Sequence, residues 1–361
     1  MFHLAAIDLR IILTFGFAGG ITFFLIPSIV EIAQVKSLYA VPGERGSQKN
    51  SVPNLGGIAI FLGTIISYLF FLKISYFPAF QFILAGVFTL FFVGFKDDIT
   101  HIPPFKKFFG QIIAAWIVVA LGGIRITNLY GFFGITELQE SLSYLISIIA
   151  IVGIINSFNL MDGIDGLCAG LGILASLAFD AWFYLEGDYN WVMLVSGLTG
   201  SLLAFSYFNV FGKTFKIIMG DTGSLTIGLT MSVVAIHFSE MNLNPAIPFH
   251  IHSAPSVAIA LLMLPVFDSI RVILNRMARH RSPFEPDRTH IHHHLLDLGF
   301  THLKATLILL GISLFFIGVG FLIKDLTVFQ GLIILLGLGV IKTYVIGYLT
   351  KKKGVTRDAK F

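Results

Sequence analysis

The sequence predicts an all-α integral membrane protein with about eleven transmembrane helices and a short β-hairpin on the outer side. Three observations carry that prediction. The 361 residues are 56% hydrophobic and 12% charged, with a mean hydropathy of +0.86. Soluble domains average about 25% charged residues, so the bilayer is the solvent here. Apolar residues fall in runs long enough for a hydrocarbon core about 30 Å thick, which takes about 20 helical residues to cross. Charged and amide residues gather in the breaks between runs, and Lys and Arg favour alternate breaks.

In chain order the runs lie near 11–31, 54–72, 79–95, 108–122, 141–156, 167–184, 191–209, 223–239, 255–275, 304–322 and 329–349. The first has Asp8 and Arg10 before it and no small-residue cleavage site after it, which reads as a retained helix and not a signal peptide. The 36 glycines suit close helix packing in lipid. Between the fourth and fifth runs, IRITNLYGFFGITEL (124–138) alternates polar and apolar residues around Gly131 and Gly134, the pattern of a hairpin. The lone Cys168 excludes an intramolecular disulfide. The chain reads as one polytopic domain, 1–361, with a basic tail at 351–361.

Orientation follows from Lys and Arg. If the breaks near 33–53, 96–107, 157–166, 210–222 and 276–303 share a side with the tail, that side collects nineteen of the 24 basic residues. The other keeps Arg10, Lys73, Arg125 and Lys324, while Lys342 lies within a run. The first side is therefore expected to be cytoplasmic. The net charge of +4 reflects this bias and needs no nucleic acid to explain it.

Every polar cluster falls on that side. VGFKDDITHIPPFKK (93–107) sets Asp97 beside Asp98. NSFNLMDGIDGLCAG (156–170) repeats Asn156, Asn159, Asp162 and Asp165 at every third residue. On an α-helix that row drifts by about 60° per step, and tightening toward a 3₁₀ turn would align it. KIIMGDTGSLTIG (216–228) sets Asp221 in a Gly-flanked turn opening a helix, which has the logic of an anion site. HRSPFEPDRTHIHHHLLDLGF (280–300) supplies Arg288, His290, His292 and His293, and RGSQKNSVPNLGG (45–57) supplies Lys49.

Each cluster also has a plain structural reading. Asp97–Asp98 suits a solvated helix end. Yet two carboxylates ~4 Å apart repel by ~4 kcal/mol at an effective dielectric of 20, so a site holding both needs a cation, a metal or a shared proton. The histidine run has no Cys or HExxH spacing beside it, which favours phosphate neutralisation over zinc. Asp268, with Arg271 one turn later, reads as a helix ion pair near the interface. Taken together, hard carboxylate and amide oxygens favour Mg²⁺, and Lys, Arg and His favour a diphosphate. A site at the membrane surface favours a lipid co-substrate. The chemistry expected is phosphoryl transfer from a nucleotide-linked donor to a lipid phosphate. A transporter would place polar groups near the midplane and show an internal repeat, neither of which is found.

The motifs GFKDD with PPFKKFFGQ, NSFNLMDGIDGL, FNVFGKTFKIIMGDTGSLTIG, PVFDSIRV and PDRTHIHHHLL occur in this order. In them the chain resembles, over nearly its whole length, the polyprenyl-phosphate N-acetylhexosamine-1-phosphate transferases. The resemblance implies Mg²⁺-dependent transfer of a sugar-1-phosphate from a UDP-N-acetylhexosamine to undecaprenyl phosphate, releasing UMP, with Mn²⁺ as an alternative metal. It implies a multi-pass protein of the bacterial inner membrane with a cytoplasmic active site, compatible with a homo-oligomer, at the first membrane step of a cell-envelope polysaccharide pathway. By the resemblance Asp221 is the principal metal ligand and Asn159 the second, and Asp97 and Asp98 lie at the lipid-phosphate end. Asp165 takes the uridine, Asp162, Asn156 and Asn209 line the same pocket, and Lys49, Arg288, His290, His292 and His293 close over the diphosphate.

Two departures separate the branches of that family. PDRTHIHH resembles the branch using UDP-N-acetylglucosamine or a related sugar. The peptidoglycan branch, which uses UDP-N-acetylmuramoyl-pentapeptide, carries a proline where this chain has His290, and tends to an aromatic where it has Ile218. The first branch is expected here.

Overall fold

The computed structural model describes residues 2–36, 38, 52–72, 79–280 and 289–352. It is helical throughout, apart from one hairpin. The helices are α1 (Phe2–Val35), α2 (Gly56–Phe71), α3 (Phe80–Thr100), α4 (Pro104–Trp116), α5 (Glu140–Met161), α6 (Leu167–Glu186), α7 (Tyr189–Ser206), α8 (Gly220–Met241), α9 (Ala254–Leu261), α10 (Met263–Ala278), α11 (Ile291–Asp297), α12 (His302–Leu322) and α13 (Val328–Lys352). Single π-helical turns, Ile117–Leu121 and Tyr207–Phe211, extend α4 and α7.

Every expected run falls on a helix. Among the described residues, eight segments are long and apolar enough to cross a membrane. A further apolar pair, α9 and α10, passes only when taken together and is bent by 80° at its break. Pro265 explains the break, since it lacks an N–H and its ring clashes with the carbonyl four residues back. At 16 residues, α2 is shorter than a straight crossing requires. The chain is thus a multi-pass membrane protein, with outward faces as apolar as its core: Phe24 on α1 is 78% exposed and Leu322 on α12 is 84% exposed.

At the centre stands α8, packed on α2, α3, α5, α6 and α9. Its sequence, GDTGSLTIGLTMS, is rich in small and hydroxyl residues, which let helices approach closely in lipid. The hydroxyls bond within the helix: Thr226 donates to Thr222 O at 2.8 Å and Thr230 to Thr226 O at 2.9 Å. Two glycines set the depth of approach. Gly57 of α2 lies against the backbone of Gly223, and a Cβ on Gly94 of α3 would fall 2.5 Å from Thr222 N. Between them the chain pairs backbone to backbone, Gly56 N with Ile218 O at 2.9 Å and Ile218 N with Pro53 O at 2.8 Å.

Helix α8 also separates two ends of the molecule by about 33 Å, at 1.5 Å per residue. Its first turn carries Asp221 and its last turn Glu240, which accepts from Thr127 N at 2.9 Å and Thr127 Oγ1 at 2.6 Å. There sits the expected hairpin, β1 (Asn128–Phe132) against β2 (Ile135–Glu137), antiparallel, with Asn128 opposite Glu137 and Phe132 opposite Ile135. Gly131 and Gly134 take positive φ in its turn. The buried apolar side chains form one cluster along the bundle and a small one of Ala260, Met263, Phe316, Ile323 and Leu335.

Candidate active site

Asp97 and Asp98 are adjacent at the end of α3, but they point in different directions. Asp98 is buried and turns to α8. Its Oδ1 accepts from Asp221 N at 2.8 Å, and its Oδ2 accepts from Thr222 N at 2.9 Å and Thr222 Oγ1 at 2.6 Å. Asn54 Nδ2 adds a bond at 3.2 Å. A carboxylate at the first-turn N–H groups suits the positive end of a helix. The anion site expected at the GDTGS turn is therefore filled by the chain's own Asp98. That geometry makes Asp98 a capping residue, and Asp97 alone of the pair faces Lys107.

Asp97 is steadied by Ile102 N, which donates to its Oδ1 at 2.6 Å. Its Oδ2 lies 3.3 Å from Lys107 Nζ on α4. The same ammonium is 3.3 Å from Asn159 Oδ1 and ion-pairs with Asp221 Oδ2. Oxygens from α3, α5 and α8 thus converge on one cationic centre. Asn159 Nδ2 closes the ring, donating to Asp221 Oδ1 at 2.6 Å and Ser224 Oγ at 2.9 Å. Hard carboxylate and amide oxygens around a cation form a donor set that suits Mg²⁺. Among the described residues no three His, Cys, Asp or Glu side chains form a complete metal cage. Mg²⁺ keeps water and phosphate oxygens in its shell, so one carboxylate and one amide from the protein fit it.

The row 156, 159, 162, 165 does not tighten into a 3₁₀ turn. Helix α5 stays α-helical to Met161, as its backbone bonds require in lipid, and the chain then turns through 162–166. Gly166, at φ 77°, opens α6. Between them the members of the row meet three other helices. Asn156 exchanges hydrogen bonds with Gln111 of α4 at 2.7 and 3.2 Å. Asn159 meets α8. Asp162 accepts from Gly220 N at 3.1 Å. Asp165 pairs with Lys216 at 2.7 Å and His302 at 3.4 Å.

Charge differs along the row. Burial, then the charges of Asp221 and Asp98, push the Asp162 carboxyl well above its ordinary range. Burial also pushes Asp165 up, but hydrogen bonds from His302 and Lys216 outweigh it and hold that carboxyl low. Asp97 and Asp221 share one ammonium, Lys107, so this centre carries negative charge for a further cation or protons to offset. Asn209, on the second π-helical turn, is engaged with backbone on both sides of its amide: Gly166 N donates to its Oδ1 at 2.6 Å, and its Nδ2 donates to Ile217 O at 2.8 Å. It ties the turn after α5 to the strand of chain entering α8.

The histidines arrive over this turn. His292 is buried, and a Cβ on Gly163 would collide with its imidazole, so the ring lies against the turn at Gly163. The His290 and His292 rings stand parallel at 5.8 Å, and His293 follows 4.2 Å from His292. Burial, then the neighbouring His293 and His290, push His292 down to about 3, so it is neutral. Lys49 and Arg288 lie outside the described residues.

Three residues that pattern reading passed over belong to the site. Lys107 holds its centre, and Lys216 and His302 hold Asp165. The signal for Lys107 was a basic pair just after Pro103–Pro104, ten residues beyond an acidic pair, on the first turn of a helix. Nothing in the sequence linked His302 to Asp165.

The chain is also similar to known proteins. Residues 80–239 match the model of glycosyl transferase family 4. The chain is 31% identical over 336 residues to the undecaprenyl-phosphate alpha-N-acetylglucosaminyl 1-phosphate transferase of Pasteurella multocida, covering 91% of this chain and 90% of that one. It is 31% identical to the Haemophilus influenzae protein of the same name over 279 residues, 75% of each chain. It is 27% identical to the decaprenyl-phosphate N-acetylglucosaminephosphotransferase of Mycobacterium leprae, over 84% of this chain and 82% of that one.

Proposed function

We infer that this chain, which belongs to glycosyl transferase family 4, transfers N-acetylglucosamine-1-phosphate to a polyprenyl phosphate. The donor in this reading is UDP-N-acetylglucosamine and the acceptor undecaprenyl phosphate. A lipid phosphate oxygen attacks the β-phosphorus of the donor. The new P–O bond forms as the bond to the α–β bridging oxygen breaks, and that oxygen leaves with UMP. The observation that carries the reading is the convergence of Asp97, Asn159 and Asp221 oxygens on one cationic centre, beside a histidine run seated on the same turn.

Roles follow from position. Lys107, with Asp97 beside it, orients the lipid phosphate, whose oxyanion is already a competent nucleophile near neutral pH. Asp221 and Asn159 would hold Mg²⁺, which supplies charge neutralisation on the diphosphate. Asp165, with Lys216 and His302, takes the uridine end. Catalysis here is chiefly positioning and charge neutralisation. The Lys/Arg bias supports a plasma-membrane protein with this site on the cytoplasmic side, where a nucleotide-linked donor is made.

Purified enzyme in detergent, given undecaprenyl phosphate, should turn over UDP-N-acetylglucosamine or an epimer and use the muramoyl-pentapeptide donor little. EDTA should stop the reaction and Mg²⁺ restore it. Efficient use of the peptide-bearing donor would contradict the donor assignment, and turnover unaffected by EDTA would contradict the metal.

A further inference from the structure

Asp268 does more than pair with Arg271 along α10. It is fully buried, at 0% exposure, and both carboxylate oxygens are engaged. Oδ1 accepts from Arg271 at 2.7 and 3.2 Å. Oδ2 faces the other way, toward the start of α11, where it bonds His290 Nδ1 at 3.0 Å and Ile291 N at 3.3 Å. Arg271 makes the same bridge, donating to Thr289 O at 2.6 Å. Two side chains one turn apart on α10 thus grip three successive residues, 289, 290 and 291, where the histidine segment begins.

The consequence falls on His290. With Nδ1 donating to a buried carboxylate, the proton is fixed on that nitrogen and the ring can turn only at the expense of the bond. Its Nε2 is left buried and without a partner among the described residues, as is Nδ1 of the parallel His292 ring. A buried imidazole nitrogen with no partner is costly, by about 1–3 kcal/mol, unless something binds it in the working state. A ring held from behind with its far nitrogen unoccupied is the arrangement by which a carboxylate aims a histidine at a reacting group.

We propose that Asp268 is a positioning residue for the transfer reaction: through Nδ1 it sets the direction of His290, whose Nε2, once protonated against the bound donor, donates to an oxygen of the diphosphate. This rests on the phosphosugar-transfer reading of the site. Among the described residues, the charged surroundings of Asp268 are Arg271 on its own helix, His290 at the start of α11, and Lys342 on α13. The Lys342 ammonium lies 4.9 Å from the Phe267 ring centroid and has no hydrogen-bond partner among the described residues. One carboxylate therefore balances two cations in the interior, so Asp268→Asn alone can unfold the protein. His290→Asn offers a cleaner test. Asparagine reaches the Nδ1 position and keeps the bond to Asp268, but it places nothing at Nε2.

The experiment measures folded yield, donor KM and kcat for His290→Asn, Asp268→Asn, Asp268→Glu and the double variant Asp268→Asn/His290→Asn, normalised to folded enzyme. Wild-type transfer of labelled sugar-phosphate to lipid is the control; its absence would overturn the functional reading, not the role of Asp268. His290→Asn should keep the wild-type thermal midpoint and lose about 100-fold in kcat, the low end for a positioned acid–base group. The double variant should be no slower than His290→Asn, because the two residues act as a unit. Asp268→Glu should recover part of the rate lost in Asp268→Asn. A wild-type kcat in His290→Asn would overturn the proposal, as would a double variant whose loss is the product of the single losses. If Asp268→Asn does not fold, the His290→Asn and Asp268→Glu measurements decide it.

Discussion

Lys107 concentrates the chemistry of this protein in one atom: its ammonium touches Asp97, Asn159 and Asp221 from three different helices. The acidic members divide by what faces them. Asp98 faces backbone N–H groups and holds α8, Asp221 faces cations, and Asp165 faces Lys216 and His302. Substitutions that keep shape and remove charge should separate these roles. Asp221→Asn should abolish turnover or demand far more Mg²⁺, without lowering folded protein. Asp165→Asn keeps the residues assigned to the metal and should raise donor KM. Near-normal rates for Asp221→Asn at ordinary Mg²⁺ would refute that division, and so would an altered Mg²⁺ dependence in Asp165→Asn. Residue identities at the site were legible from polar groups in an apolar chain. Their partners were not, because the row from Asn156 to Asp165 meets α4, the start of α8 and α12, and only folding brings those together.

The site exists because elements pack closely at one end of α8. Gly94 lets α3 lie on the α8 backbone, and Asp98, one turn further on, then reaches the free N–H groups of α8. Gly94→Ala puts a methyl 2.5 Å from Thr222 N, and backbone cannot yield as a flexible side chain can. Overpacking of this kind destabilises by about 1–3 kcal/mol. Asp98→Asn weakens charged bonds worth about 1.5–3 kcal/mol each to the same turn. Both should lower the thermal midpoint in detergent, and the rate lost should track folded protein lost; a fully folded, inactive Asp98→Asn would instead return Asp98 to the chemistry. Hydropathy located the long apolar helices, since length and apolarity are local properties, but the short α11 lay in a stretch that read as a loop. The 80° break between α9 and α10 and the end of α5 at Met161 were not visible in hydropathy, which is blind to direction. Pro265 was the one local clue to the first of these.

At the scale of the whole molecule, polar loops that are distant in sequence meet at one end, and the hairpin closes the other. That polarity was legible, because charge bias and the hairpin's alternation are properties of composition and period. A topology measurement checks its sign. Cysteine introduced by Thr136→Cys should label with an impermeant reagent in intact cells, and Lys106→Cys should not; the native Cys168 is buried and stays silent. The reverse pattern would place the site on the outer face, away from nucleotide donors. Whether the molecule moves a phosphosugar, and not a sugar alone, can be read from one labelled atom. Purified enzyme is given undecaprenyl phosphate, Mg²⁺ and UDP-N-acetylglucosamine carrying ³²P only at the β-phosphate. The label should leave the nucleotide and appear on the lipid, with unlabelled UMP formed in equal amount; label retained in released UDP would mean glycosyl transfer, and would contradict the account.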